Sequence, residues 1–208
     1  MFYLENSMTK TRKDNQVVIQ ADKEIVSQYF HKKQKQVVTF IGYSGSGYED
    51  KDGLISKSQE ILSKFNPSDT IINIGATYYG IGEVYQISKN LGFETTGIVS
   101  SKIHYNPSHS PFSYFCDVVF LINDNTYGGF IDQTKEILSP TSEIMVNNSD
   151  YIIALGGGQI SCDEFQAAKK LGKKVAFYPF DSNHAKNRRN RIDFSSPVAQ
   201  FADLNDTL

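Results

Sequence analysis

Three glycine turns hold the residues of this chain best suited to chemistry. The most informative begins with the apolar run Tyr151 to Leu155. It continues as Gly156-Gly157-Gly158-Gln159-Ile160-Ser161-Cys162-Asp163-Glu164, and a segment of helical pattern, Phe165 to Leu171, follows at once. This order predicts a buried strand, a tight turn and a helix N-terminus. Amides at such a terminus, with the positive end of the helix dipole behind them, suit an anion. The expected ligand is a phosphate-bearing small molecule, met by Gly156, Gly157, Gly158, Gln159 and Ser161. Ser161 is the expected N-cap, and Asp163 and Glu164 are expected in the first turn, where acids suit the dipole.

The second turn is Gly42-Tyr43-Ser44-Gly45-Ser46-Gly47, after the β-rich run Val37 to Tyr43. Ser44 and the Gly45 and Gly47 amides are candidates for a phosphate or a ribose, although a solvent-facing loop serine reads equally well. The third is Gly75-Ala76-Thr77-Tyr78-Tyr79-Gly80-Ile81-Gly82, after Thr70 to Ile74. Tyr78 and Tyr79 stand where they can stack on a base or simply cover the end of a sheet. Tyr127-Gly128-Gly129-Phe130 is a further candidate lip of the pocket.

Regular elements must position these turns. Residues 1–16 read as a flexible polar arm and 17–208 as a single domain. A short element is expected at Val17 to Gln20 and a helix at Ala21 to Phe30. Strands follow at Val37 to Tyr43, Thr70 to Ile74, Thr95 to Val99, Asp117 to Ile122, Tyr151 to Leu155 and Lys174 to Tyr178. Helices are expected at Asp52 to Phe65, with an amphipathic spacing, at Ile81 to Leu91, closed by Gly92, and around Phe130 to Leu138. Short apolar strands alternating with helices predict an α/β fold, a mostly parallel sheet covered on both faces. In such a sheet ligands sit beyond the carboxyl ends of the strands, where the strand order reverses. The three glycine turns are therefore expected to converge.

Two common phosphate loops do not fit. No glycine is followed by the Lys-Ser/Thr pair of a Walker A loop. Gly42-x-x-Gly45-x-Gly47 reverses the dinucleotide fingerprint, and the strand after it ends at Gly75 without a carboxylate. Taken in order, the turns instead resemble the Smf/DprA–Lonely-guy superfamily of Rossmann-like nucleotide-binding proteins, and within it the lysine decarboxylase-like phosphoribohydrolases. Gly75 to Gly82 is similar to the family's glycine turn with its G-x-M-G helix start. Phe93-Glu-Thr-Thr-Gly97-Ile-Val99 is similar to its third strand, and Gly156 to Glu164 to its signature P-G-G-x-G-T-x-x-E. The resemblance implies a doubly wound Rossmann-like fold and a nucleotide ligand. It nominates Glu164 as the catalytic carboxylate of an N-glycosidic hydrolase acting on nucleoside 5′-monophosphates, with Gly157, Gly158 and Ser161 on the phosphate. The chain departs from the signature with Gly156 for Pro, Ile160 for Gly and Ser161 for Thr. The family's catalytic Arg falls at Thr141 and its Lys neighbour at Ser142. These losses favour a nucleotide-binding protein without hydrolysis. A DprA-like DNA-handling protein is the third reading, supported by Lys186-Asn-Arg188-Arg189-Asn-Arg191. That run also fits a nucleotide phosphate or a solvated surface.

The 208 residues carry a formal net charge of -2, which gives no general attraction to nucleic acid or anionic membrane. No apolar run is long enough to span a bilayer, and the first residues lack the form of a secretory signal. Cys116 and Cys162 form no ligand-spaced pair, so a reduced, cytoplasmic protein is expected. Cys162 near a helix N-terminus is expected to have a lowered pKa. His31, His104, His109 and His184 share no metal-ligand spacing, and neither metal nor resident cofactor is expected. The resemblance implies a homodimer, for which Ile192, Phe194, Val198 and Phe201 are candidate contacts.

Overall fold

Parallel pairing is what the short apolar strands achieve. The computed structural model describes residues 16–105, 112–132 and 134–189. Seven strands form one sheet: β1 (Val17–Ala21), β2 (Gln36–Gly42), β3 (Thr70–Ile74), β4 (Glu94–Ser100), β5 (Val118–Ile122), β6 (Tyr151–Leu155) and β7 (Lys174–Tyr178). Their order is β1-β5-β4-β3-β2-β6-β7, and every pairing is parallel. The helices are α1 (Lys23–Lys33), α2 (Lys51–Leu62), α3 (Glu83–Asn90), α4 (Pro140–Asn147), α5 (Gln159–Lys170) and α6 (His184–Arg189). Gly80–Gly82 is a 3₁₀ turn leading into α3.

The central strands are buried on both faces, so their successive residues serve different cores. Val37, Ile41, Ile71, Ile152 and Ala154 join a cluster with Val26 and Phe30 of α1, Ile144 to Val146 of α4 and Phe165 of α5. Val38, Phe40, Ile72, Ile74, Ile153 and Leu155 join the other, with Leu54, Ile61 and Leu62 of α2 and Val84, Tyr85 and Ile87 of α3. The sheet is thus doubly wound, as expected. From β2 the chain steps outward through β3, β4 and β5. It then crosses back to β6 and β7, so the order reverses between β2 and β6.

The first helix begins later than expected because the Asp22 carboxylate caps it, accepting from the Ile25 N–H at 2.9 Å. Asp50 caps α2 in the same way through the Gly53 N–H at 2.8 Å. The helix expected around Phe130 to Leu138 is absent from the described residues there. Phe130 and Leu138 instead form an antiparallel bridge, and the Ile131 N–H donates to the Ile137 carbonyl at 2.9 Å. The Asp132 carboxylate takes the N–H groups of Glu136 and Ile137 that a helix would have used. The polar arm, His109, Ile192, Phe194, Val198 and Phe201 lie outside the described residues, except Gln16. Its side chain donates to the carbonyls of Ser113 and Cys116.

A polar chain crosses the sheet interior. The Thr96 hydroxyl donates to Asn73 Oδ1 at 3.1 Å, Asn73 Nδ2 donates to Thr39 Oγ1 at 3.2 Å, and Thr39 meets Ser149 Oγ at 2.6 Å. All four residues are buried, so removing the middle one strands its neighbours away from water. Asn73→Ala should destabilise the protein by about 2–3 kcal/mol in denaturant unfolding. A loss below about 0.5 kcal/mol would show that the chain is not a structural unit.

Candidate functional site

The reversal between β2 and β6 leaves the carboxyl ends of the central strands facing one region, and the glycine turns lie there. The β3 turn folds over the β2 turn, with the Ile81 N–H donating to the Tyr43 carbonyl at 2.7 Å. Gly80 has a φ of +65°, and a Cβ there would overlap the carbonyl oxygens of Tyr43 and Ser44, so a side chain is excluded on both grounds. From the other side the β6 turn approaches. Gly157, with a φ of +133°, lies so that its Cβ position is 3.5 Å from the Gly42 Cα, and the Ser161 hydroxyl donates to the Gly42 carbonyl at 3.3 Å. The three turns adjoin as expected, with the β2 turn in the middle.

Two tyrosines from the β2 turn tie this corner together. The buried Tyr48 hydroxyl accepts from the Tyr43 N–H at 3.1 Å and donates to the Leu155 carbonyl at 2.8 Å. Burial raises its phenol far above the usual range. Tyr43 lies beside Gly156, where a Cβ would come 3.0 Å from its ring. Burial pushes the Tyr43 phenol up to about 12, against the opposing pull of the Gly157 N–H and the Ser182 hydroxyl.

A cavity of about 370 Å³ opens on the β3 side of the β2 turn. Ser46, Gly47, Tyr48 and Lys51 line it from the β2 turn and the start of α2. Tyr79, Gly80 and Glu83 line it from the β3 turn and the start of α3, and Asn183 and Lys186 from the segment after β7. That segment is fastened to the β2 turn, since the Glu49 N–H donates to the Asp181 carbonyl and the Asn183 N–H to the Gly47 carbonyl. The charges are two lysines against one glutamate. Lys51 Nζ pairs with Glu83 Oε2 at 2.8 Å, and Lys186 Nζ stands 5.4 Å from the centre of the Tyr79 ring. Tyr79 is 49% exposed and meets Tyr78 edge-on at 4.9 Å. Tyr78 in turn meets Tyr114 at 5.5 Å.

Of the residues expected at the site, Tyr79 and Gly80 therefore line the cavity. Gly42 and Gly82 support it, because a Cβ would overlap the Tyr48 hydroxyl at the first and the Thr77 carbonyl at the second. Ser44 and Gly45 are exposed beside it, and Gly75 and Gly45 have open space where a side chain would stand. Gly156, Gly157, Gly158, Gln159 and Ser161 lie across the β2 turn and are not part of the lining. Gly158, not Ser161, is the N-cap of α5, and Ser161 is its third residue. Helix geometry still leaves the Gln159, Ile160 and Ser161 N–H groups without intrahelical acceptors, and Gln159 and Ile160 are exposed.

Asp163 and Glu164 lie one turn further into the helix than expected. The Asp163 carboxylate accepts from the Phe130 N–H at 3.0 Å and from Gln159 Nε2 at 2.6 Å. Glu164 is only 5% exposed and accepts from the Ser142 hydroxyl at 2.6 Å, while Ser142 Oγ accepts from the Gly129 N–H at 2.8 Å. The two acids thus fasten the Tyr127 to Phe130 loop to α5. Ser142, where the resemblance would have placed a Lys, is the hydrogen-bond partner of the nominated acid. Cys162 also differs from expectation. Burial first, then the Asp163 charge, raise its pKa, outweighing the Lys135 charge and the Gln166 side chain.

Sequence reasoning missed Lys51, Glu83 and Asn183, which the fold gathers from three distant segments. One of them, Glu83, carried a faint signal as a charge directly following a glycine turn. Among the described residues no cluster of three or more His, Cys, Asp or Glu is placed to hold a metal ion, and no helix is long and apolar enough to cross a membrane.

No family model and no curated protein matches the chain. Solved structures do. The molybdenum cofactor binding protein of the phototrophic bacterium Rippkaea orientalis superposes with a TM-score of 0.50 at 18% identity, over 82% of this chain and 94% of that one. The molybdenum cofactor carrier protein of Chlamydomonas reinhardtii gives 0.49 at 19% identity, over 69% and 76%. DNA processing protein A of Streptococcus pneumoniae gives 0.49 at 10% identity, over 85% and 64%. At such identities the likeness is one of fold. The Rossmann-like architecture implied by the glycine turns is present.

Burial raises the Glu164 carboxyl from 4.5 to about 7, opposed by the Ser142 hydroxyl and reinforced by the Asp163 charge. A carboxyl with a raised folded pKa contributes stability that is fully present below its unfolded pKa and is lost as pH rises through the folded value. Stability should therefore fall between about pH 4.5 and 7.5, by about 3 kcal/mol from this group. Glu164→Gln keeps the acceptor for Ser142 and should flatten that part of the profile. An unchanged slope in urea titrations across this range would refute the assignment.

Proposed function

We propose that this Rossmann-like chain binds a nucleotide or a nucleotide-derived small molecule in the cavity beside the β2 turn, and does so without cleaving it. The observation that carries the reading is the cavity itself. It opens at the carboxyl end of the sheet, on the β3 side of the β2 turn and one turn away from the reversal of strand order where ligands of open α/β sheets bind, and its volume suits a mononucleotide. Lys51 and Lys186 supply positive charge for a phosphate, and the exposed face of Tyr79 supplies an aromatic surface for a base. The exposed N-terminus of α5, across the β2 turn, offers a second anchor to a ligand with more than one anionic group. That a neighbour of the same fold is described as a molybdenum cofactor binding protein supports a small-molecule ligand.

Hydrolysis by Glu164 is the less favoured reading. Its carboxyl is buried beside Gly128 and engaged with Ser142, and Glu164 is not among the residues that line the cavity. The DNA-handling reading rests on residues 186–191; Lys186 faces the cavity, and Asn190 and Arg191 lie outside the described residues. In the proposed reading the protein works in the cytoplasm as a homodimer.

Thermal unfolding with a panel of nucleoside mono-, di- and triphosphates tests this. At least one nucleotide should raise the melting temperature in a concentration-dependent way, with no free base released. Lys186→Ala should weaken that ligand by about tenfold, equivalent to about 1.4 kcal/mol. A panel without any stabilising nucleotide would refute the proposal, and base release lost in Glu164→Gln would restore the hydrolase.

A further inference from the structure

We infer that Glu83 reads a ribose diol, so that the cavity takes ribonucleotides in preference to 2′-deoxyribonucleotides. The inference rests on the nucleotide reading of the cavity and adds to it a specificity-determining residue. Glu83 is the first residue of α3, directly after the Gly80–Gly82 turn, and its carboxylate lies at a helix N-terminus. It is the only carboxylate among the cavity's lining residues. An acid in a pocket meant for an anion repels that anion unless it has another task.

In the structure Glu83 is paired with Lys51 at 2.8 Å, and both side chains are partly exposed, at 28% and 60%. An ion pair so exposed contributes little to stability, and opening it is inexpensive. A ligand that opens it must satisfy both halves. Lys51 requires an acceptor, which a phosphate provides. Glu83 is acceptor-only when ionised and requires donors. Two adjacent hydroxyls of a ribose present two donors to the two oxygens of one carboxylate, whereas a deoxyribose presents one.

The cavity is therefore complementary to a molecule with an anionic group at one end and a vicinal diol nearby. The ring of Tyr79, also in the lining, then falls to the base. A site built to hydrogen-bond a hydroxyl rejects the analogue lacking it, because the polar group left behind is desolvated and unpaired. Here the group left behind would be a charged oxygen at the floor of an occupied cavity. The acid that the chain lacks at the end of its second Rossmann strand, where Gly75 stands, is thus supplied eight residues further on, at the start of the following helix.

The test measures dissociation constants of matched ribo-, 2′-deoxyribo- and 3′-deoxyribonucleoside 5′-monophosphates by calorimetry, for the native protein and for Glu83→Gln. The native protein should bind the ribonucleotide at least tenfold more tightly than either deoxy analogue. Glu83→Gln should reduce that ratio to about threefold or less, mostly by weakening the ribonucleotide, with the deoxynucleotides, which keep one hydroxyl, weakened less and the melting temperature little changed. Loss of fold in the variant would show as a fall in both affinities together, and Glu83→Asp, which keeps the charge, should then retain the preference. Ribo and deoxy forms bound equally by the native protein would overturn the diol assignment while leaving the nucleotide reading in place. Absence of binding by every nucleotide would overturn both.

Discussion

Backbone must touch backbone at the carboxyl end of β2, and the rest of the site depends on that contact. The β3 turn hydrogen-bonds to the Tyr43 carbonyl from one side, and the β6 turn comes against Gly42 from the other. No side chain larger than hydrogen fits at Gly80, where two carbonyl oxygens occupy the space. Contact of this kind fixes the distance between the starts of α2, α3 and α5 more rigidly than side-chain packing alone. Tyr48 completes it by bridging β2 and β6 through one hydroxyl. The cavity is what remains open once these turns are locked, and its lining is held by the same contacts.

The acidic groups of the region divide by burial into two kinds. Asp163 and Glu164 are enclosed and serve the protein itself, holding the Tyr127 to Phe130 loop on α5. Glu83 is partly exposed and paired with a lysine in the cavity. Burying a carboxyl without a cation nearby favours its neutral form, which is why Glu164 titrates so high. The groups that act on the enclosed acid are the Ser142 hydroxyl and the Asp163 charge, neither of them a cation able to hold that carboxyl ionised.

Much of the scaffold was legible in the sequence because parallel strands buried on both faces appear as short apolar runs. Thr70 to Ile74, Tyr151 to Leu155 and Lys174 to Tyr178 were read to the residue, and the remaining strands to within one position at each end. Helix starts were less legible. Gln159, Ile160 and Ser161 begin α5 without an apolar period, so its N-cap was expected at Ser161, three residues late. The hairpin at Phe130 and Leu138 was mistaken for a helix because Asp132 supplies a cap that spacing does not reveal. Of the site, the glycines were visible, since backbone crowding demands them. Lys51, Glu83 and Asn183 were not, because three segments far apart in sequence bring them together. The basic run containing Lys186 was noticed, but only the fold turns that lysine toward the Tyr79 ring.

One feature of the sheet bears on how the chain reaches its native state during synthesis. β1 pairs only with β5, Val17 against Val118, so roughly 100 residues separate the two partners. A growing polypeptide emerges N-terminus first, and β1 must wait while β2, β3 and β4 leave the ribosome before its neighbour exists. Throughout that interval Val17, Val18 and Ile19 present an apolar, unzipped edge to whatever is nearby. The polar residue Gln16, reaching to the carbonyls of Ser113 and Cys116, is then a latch that closes only once the segment leading into β5 has been delivered.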